Sequence, residues 1–204
     1  TSFANLGNFT GTFDGNDKTI SGLKMTAAGS SHAGLFEAVE QGALIKNFTI
    51  SDSSFTASGT ASAAPLCYLL AGTLQNVTVT GGSASALDGL AGGLVCYLVS
   101  GTDSDPYGII TECATATSVS GAKAGGVCAV DGGGLIEKTI VAGKVIGTSE
   151  AGAIAAQEAF VENVVDHAYS AVWWDTAAVG QKYALPSTQR AGAVGLALSG
   201  APRT

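Results

Sequence analysis

The chain has 204 residues, enough for one sizeable domain or two small ones, and it is apolar in composition: hydrophobic residues make up 46%, charged residues 12%, and the mean hydropathy is +0.34. The formal net charge is −7 with nine Lys and Arg in all, so no basic stripe can hold a phosphate backbone, and nucleic acid is excluded as an expected partner. No apolar run reaches the roughly 18 residues of a spanning helix, and we expect no membrane insertion.

The first predicted elements are two strands within residues 9–23, FTGTFDGNDKTISGL. β-Branched and aromatic residues flank the turn formers Asp14, Gly15 and Asn16. A β-hairpin is one interpretation, because Asp-Gly is also a hairpin turn signal. We favour a second interpretation, in which the turn bends the chain between two faces of one coil and each strand pairs with a neighbouring coil.

A short apolar element then recurs along the chain, and in four of its five copies Gly or Pro directly precedes the central apolar residue. Its equivalent apolar residues are spaced by 27 to 33 residues, and the loops absorb the variation. Gly34, Gly93 and Gly126 are expected to let neighbouring coils pack closely. The copies, each with its central residue, are AGLFEAV (33–39, Leu35), APLCYLL (64–70, Leu66), GGLVCYLV (92–99, Leu94), GGVCAV (125–130, Val127) and GAIAAQ (152–157, Ile154).

A second element follows each copy of the first. In its first copy we expect Ile45, Phe48 and Ile50 to point inward, with Asn47 at a bend that shifts the alternation. Ile45, Leu74, Ile110, Ile136 and Val161 would then be equivalent core positions. The copies are LIKNFTI (44–50), TLQNVTV (73–79), IITECAT (109–115), LIEKTIV (135–141) and FVENVVD (160–166).

These short strands and this period predict an all-β fold, a single-stranded parallel β-helix (solenoid) of about five to six coils. Helical repeats do not fit, because Gly, Ser, Asn and Asp interrupt every segment before an amphipathic helix could form. A propeller blade needs ~40 residues per unit, and a leucine-rich repeat needs a Leu and Asn ladder that is missing here.

FTGTFDGNDKTISGL, followed by AGLF and ALIKNFTI, resembles bacterial surface proteins that carry GLUG-type repeats, with the typical text F-x-G-x-F-D-G-N-G-x-T-I-x-x-L, then G-L-F, then A-x-I-x-N-L. The resemblance is close over residues 9–50 and continues by repetition to about residue 166, with Asp17 in place of the usual Gly. It implies a right-handed parallel β-helix of the pectate-lyase-like type, in secreted or cell-surface proteins often called adhesins. It implies no catalytic residue.

The C-terminal text departs from the repeat. We predict coils over residues 1–172 and a capping segment over residues 173–204, since an uncovered end would expose the core. Tyr169, Trp173, Trp174 and Asp175 are candidate ligand-binding residues, because aromatic faces beside a carboxylate suit sugar rings. The alternative is that these aromatic side chains plug the core.

A carboxylate face is the candidate site for catalysis. Stacked second elements would bring Glu112, Glu137 and Glu162 together, and glycosidases work with a pair of carboxylates. The alternative is a solvated face neutralised by Lys46 and Lys138. No metal or other cofactor is expected, because Cys and His do not cluster at metal-ligand spacing, and the Asp residues of DGND (14–17) and TDSDP (102–106) are interpreted as turn formers.

Cys67, Cys96 and Cys128 occupy similar places in successive first elements. We predict a buried column of free thiols, with a disulfide between neighbouring coils as the alternative.

Taken together, the sequence predicts a non-catalytic module of a bacterial secreted or cell-surface protein, part of a larger multidomain chain in an extracellular location. Its expected partner is a host-surface or matrix glycan or protein, reached for adhesion or ligand presentation. One alternative is a carbohydrate-active enzyme, a polysaccharide lyase or glycoside hydrolase using the carboxylate face. Another is an ice- or mineral-binding surface of Thr rows, for which Thr49 and Thr78 align but Thr115 and Thr139 do not.

Overall fold

The chain winds into a parallel β-solenoid of about five turns, as the sequence predicts. The structure is a computed structural model that describes residues 4–101, 108–158, 168–181, 183–186 and 193–196. None of the helices in these ranges is long and apolar enough to cross a membrane.

Most strands are two to five residues long, although the longest spans 20 residues, and few helical residues lie between them. The first two turns contain β1 Asn8–Phe9, β2 Thr12–Ser21, β3 Lys24–Ala28, β4 His32–Ala33, β5 Phe36–Val39, β6 Leu44–Ser51, β7 Ser54–Ser58 and β8 Ser62–Ala63. The middle of the chain contains β9 Cys67–Leu70, β10 Thr73–Gly92, β11 Val95–Leu98, β12 Ile109–Thr111, β13 Ala114–Gly125, β14 Cys128–Asp131 and β15 Leu135–Glu137. The remainder contains β16 Ile140–Val141, β17 Val145–Gly152, β18 Ala155–Glu158, β19 Ala168–Ser170, β20 Val172–Asp175, helix α1 Thr176–Val179 and β21 Ala193–Leu196.

Each strand pairs in parallel with the strand one coil away. One sheet has the order β1-β5-β9-β11-β14-β18, and the other strands form a larger sheet that bends around the remaining faces. The hairpin interpretation of residues 9–23 is wrong, because Phe13 is in register with Ile45 and Ile20 with Ile50. The bend falls at Asn16, where φ is +49°.

The central residues of the first elements stack as predicted. Leu66 N–H donates to the Leu94 carbonyl, Leu94 N–H to the Val127 carbonyl and Val127 N–H to the Ile154 carbonyl, all at 2.8–2.9 Å. Their side chains and that of Leu35 are buried in the common core. This column holds the successive coils together on one side of the solenoid.

Glycine is required where coils touch through their backbones. A Cβ at Gly93 would lie 1.9 Å from the Gly126 carbonyl oxygen, and a Cβ at Gly126 would lie 2.1 Å from the Ala153 carbonyl oxygen. Atoms cannot approach so closely, so the predicted role of these glycines is confirmed.

One residue in each second element adopts a left-handed backbone conformation and turns the corner. This residue explains why Ile45 and Phe48 are both buried. The two residues are three positions apart, and strict alternation along a strand would place them on opposite faces. The corner column is Asn47 (φ +57°), Asn76 (+51°), Glu112 (+56°), Lys138 (+48°) and Ala171 (+52°).

The last second element is not the one expected from the sequence. The strands that continue the stack are β19 and β20, in which Tyr169 is in register with Ile136 and Trp174 with Val141. Residues 160–166, including Val161, lie outside the described residues. The division between residues 172 and 173 stays a prediction, and it would cut through β20, which pairs on to β21.

The central column predicts a large difference between two leucines. Leu94→Ala should lower the free energy of unfolding by about 2–5 kcal/mol, because it leaves a cavity in a fully buried position. Leu87→Ala is the matched control, since Leu87 is 69% exposed where the β10–β13 register shifts, and its effect should stay within about 0.5 kcal/mol. Urea unfolding followed by circular dichroism measures both, and equal losses would contradict the stacked core.

Candidate functional site

Two of the four candidate aromatic-site residues serve the core. Tyr169 is buried, and its hydroxyl donates to Asp131 Oδ2 at 2.8 Å; burial, and then the Asp131 charge, raise the pKa of Tyr169. Trp174 is buried, and its Nε1 donates to the Gln181 carbonyl at 3.0 Å. Both side chains therefore continue the inward columns of the preceding coils, and neither offers a face to a ligand.

The other two residues of that group lie on the surface with different roles. Trp173 is 37% exposed and stands in one outward row with Ile140 and Val194, its register partners on the adjacent strands. Asp175 caps α1, since its Oδ1 accepts from the backbone N–H groups of Ala177 and Ala178. The structure thus separates the group and leaves Trp173 as its exposed aromatic residue.

The carboxylates predicted to stack do not share one column. Glu112 occupies the corner column, where it lies 3.5 Å from Lys138 Nζ and accepts from Gln75 Nε2 at 3.4 Å. Glu137 is in register with Thr111, whose hydroxyl donates to it at 2.8 Å. The predicted alignment of Glu112 with Glu137 is therefore wrong by one residue, and Glu162 lies outside the described residues.

The acidic turn at residues 14–17 is used to join coils. Asp14 accepts from the backbone N–H of Asn16 and from Asn47 Nδ2, and Lys46 Nζ lies 3.3 Å from it. These bonds, the Asn16 N–H first, hold the pKa of Asp14 below its ordinary value. Asn76 Nδ2 donates in turn to Asn47 Oδ1 at 3.0 Å.

Within the described ranges no three His, Cys, Asp or Glu side chains group to hold a metal ion, and residues 102–106 lie outside those ranges.

The cysteines are free and buried, but they do not form one column. Cys67 and Cys128 both pair with Val95, which therefore separates them, and Cys96 lies one position further along the strand. The predicted single column is wrong for this reason. Cys96 belongs to the corner between the two sheets, with its Sγ 3.8 Å from His32 Nδ1 and 3.8 Å from the Leu90 carbonyl oxygen.

A polar cleft lies over this corner and is open to solvent, and we call it the Tyr68 cleft. It has a volume of about 190 Å³ and lies where β4 and β8 meet β5 and β9. The sequence pattern does not reveal this cleft, because its lining residues do not repeat from coil to coil. The lining residues are Ser30, Ser31, His32, Glu37, Thr60, Ser62 and Tyr68.

His32 is the buried floor of the cleft. Only 5% of the residue is exposed, and its Nε2 has no hydrogen-bond partner among the described residues. Burial lowers the pKa of His32 to about 4, although the nearby Ser62 backbone opposes this shift. Gly34 makes room for the ring, since a Cβ there would lie 2.0 Å from Nε2.

The proximity of His32 and Cys96 does not create a reactive thiolate. Cys96 has no exposed surface, and burial raises the pKa of its thiol well above the ordinary value. Both partners are therefore neutral near pH 7, whereas a nucleophilic cysteine needs a lowered pKa and access to substrate. The sequence signal that could have indicated this corner is His32, which lies two residues before Gly34.

Comparisons with known proteins place the fold but not the activity. No family model matches the chain. Over 50 residues, 24% of this chain, it is 48% identical to halomucin from Haloquadratum walsbyi (strain DSM 16790 / HBSQ001), and this stretch is 0% of that protein's length to the nearest per cent. A crystal structure from Bacteroides ovatus, named "putative immunoglobulin A1 protease", matches with a TM-score of 0.61 and 20% identity, over 79% of this chain and 48% of that one. Such low identity shows a shared fold alone.

Burial of the thiols gives a direct chemical prediction. Cys67, Cys96, Cys113 and Cys128 are at most 2% exposed, so a thiol reagent such as DTNB should titrate none of them in the folded protein and four after unfolding in guanidinium chloride. Rapid reaction of any thiol under native conditions would contradict the packing of its coil.

The neutral, buried His32 makes stability depend on pH. His32 takes up a proton near pH 6.5 in the unfolded chain and near pH 4 in the folded chain. Its contribution to the free energy of unfolding is therefore fully present above pH 6.5 and is lost as the pH falls to about 4. The loss is on the order of 3 kcal/mol. The free energy of unfolding, measured with urea at several pH values between 7 and 4, should fall less steeply with decreasing pH for His32→Gln than for the unaltered protein. An identical pH dependence would contradict the burial of a neutral imidazole.

Proposed function

We propose that the chain is a non-catalytic module of a surface or secreted protein, which holds its coils as a stiff scaffold and presents outward side chains and loops for adhesion or ligand binding. The observation that carries the proposal is the continuous parallel ladder from β1 to β18, which fixes the backbone and leaves the outer faces free. Stacked coils of this kind suit extended binding surfaces.

The comparisons support the setting of the proposal and leave its details open to test. The chain spans about half of the Bacteroides ovatus structure and a very small part of halomucin, so the activities of those whole proteins are not transferred. The partial match to halomucin, together with the resemblance of residues 9–50 to bacterial surface repeats, favours an extracellular module of a larger chain.

The carbohydrate-active enzyme has less support from the site geometry. A glycosidase needs two carboxylates across one glycosidic bond, one of them with a raised pKa. Here Glu112 is paired with Lys138 at a corner, and Glu137 is bonded to Thr111 in a different column. The Thr-row alternative is also weak, because the row of Thr49 and Thr78 continues as Ala114 and Ile140.

The proposal predicts binding without turnover. The folded domain, immobilised and presented with arrays of glycans and matrix proteins, should bind at least one of them above the level of the same domain unfolded and alkylated. Absence of any such signal would contradict adhesion. Release of reducing ends or unsaturated sugars from polysaccharides by the unaltered protein, abolished in Glu137→Gln, would contradict the non-catalytic assignment.

The proposed location has its own measurement. Antibodies raised against the purified domain should label intact cells of the organism that makes it, or its culture medium, and external protease should remove the cell label. Signal confined to lysed cells would overturn the surface or secreted setting.

A further inference from the structure

We propose that the Tyr68 cleft binds one neutral sugar residue, such as the terminal hexose of a glycan. The inference deepens the proposed function and rests on it for its biological setting, since it names the ligand class that the presented surface takes. It also moves the expected sugar site from the C-terminal aromatic residues to residues 30–68.

The size of the cleft fits a single ring. Its volume of about 190 Å³ is below the roughly 300–1,000 Å³ of pockets for drug-sized ligands, so a long oligosaccharide would extend outside it. The cleft is open to solvent on one side, which allows the rest of a glycan to leave the site from the terminal residue.

The chemistry of the lining favours a polyol. Four of the seven lining residues carry aliphatic hydroxyl groups, which both donate and accept, and Glu37 adds a charged acceptor. Among the described residues no Lys or Arg lines the cleft, so a phosphate, sulfate or sugar acid would find no cation there. A neutral sugar satisfies both conditions, because its hydroxyls donate to the carboxylate and exchange bonds with Ser and Thr.

An aromatic ring stands beside the carboxylate, a combination that suits sugar recognition. The register of β5 and β9 places Glu37 next to Tyr68 on neighbouring coils. Tyr68 is half-buried, and its ring is 6.0 Å from the His32 ring at an interplanar angle of 52°, so one part of the ring is packed and another part remains open to the cleft. The C–H face of a pyranose can pack on such a ring while its hydroxyls reach Glu37.

The polar groups are held in place before any ligand arrives. Asn5 Nδ2 donates to Glu37 Oε2 at 2.9 Å, which leaves the other carboxylate oxygen for a ligand. The Ser31 hydroxyl is fixed by bonds to both the N–H and the carbonyl of Ala28, and the Thr60 hydroxyl donates to the Gly29 carbonyl. Their remaining lone pairs are acceptors in fixed positions, and this order reduces the entropy lost on binding.

The chain offers a matched control for Glu37. Glu40 lies three residues further along, and its Oε1 accepts from Asn8 Nδ2 at 2.8 Å, which repeats the Glu37–Asn5 arrangement outside the cleft. Glu37→Gln and Glu40→Gln therefore remove the same charge and disturb the same type of coil-to-coil bond, and only the first change alters the cleft.

Saturation-transfer NMR and calorimetry with methyl glycosides of neutral hexoses test the proposal directly. We expect saturable binding to the unaltered protein, weakened roughly tenfold or more by Glu37→Gln and changed less than about twofold by Glu40→Gln. Tyr68→Leu, which keeps an apolar side chain of moderate size, should also weaken binding at least tenfold. Circular dichroism and thermal unfolding confirm that each variant is folded.

Three results would overturn the sugar site. They are no saturable binding of any hexose, equal weakening by the two Glu variants, or binding of tetramethylammonium in place of hexoses, which would indicate a cation site. The array experiment separates this failure from that of the proposed function: array binding that Glu37→Gln leaves intact supports adhesion and overturns the cleft assignment. Hexose binding in solution without any array signal supports the cleft and contradicts adhesion.

Discussion

Hydrogen bonding between parallel coils is the constraint on which the rest of the structure depends. A strand can pair in register with the next coil only if both coils bend at the same place, so the corner conformation has to be repeated. Asn suits the left-handed corner, but Glu112, Lys138 and Ala171 adopt it too, at a local cost of about 1–2 kcal/mol for each residue. The ladder of coil-to-coil bonds and the core beneath it offset that cost.

The parts of the fold that were predictable are those in which the same chemistry recurs. Leu35 and Leu66 occupy equivalent core positions with similar side chains, and Gly93 and Gly126 repeat because a Cβ would collide with the next backbone. Prediction failed at the last coil because Tyr169 and Trp174 fill positions held by aliphatic side chains below them. The similarity of residues 160–166 to the earlier copies favoured that segment, whereas the observed register places the aromatic residues in the core columns.

The candidate site was less predictable than the fold, for a related reason. Outward residues are free to differ between coils, so Glu37 and Tyr68 leave no periodic signal, and their proximity arises from register alone. The misplacement of Glu112 has the same origin, since a shift of one position moved it from a strand to a corner. The neighbours of an outward residue on a solenoid surface lie about thirty residues away in the sequence. Such a pair can be predicted only when the register between the two coils is known to the residue.

Contacts limited to adjacent coils have a mechanical consequence for a chain that is loaded at its ends. In a stack of coils, a coil that has a neighbour on one side only would detach first under force, and the coils beneath it would keep their structure. Each detachment would release on the order of 100 Å of extended chain. Such a domain would lengthen in steps under load and refold when the load falls.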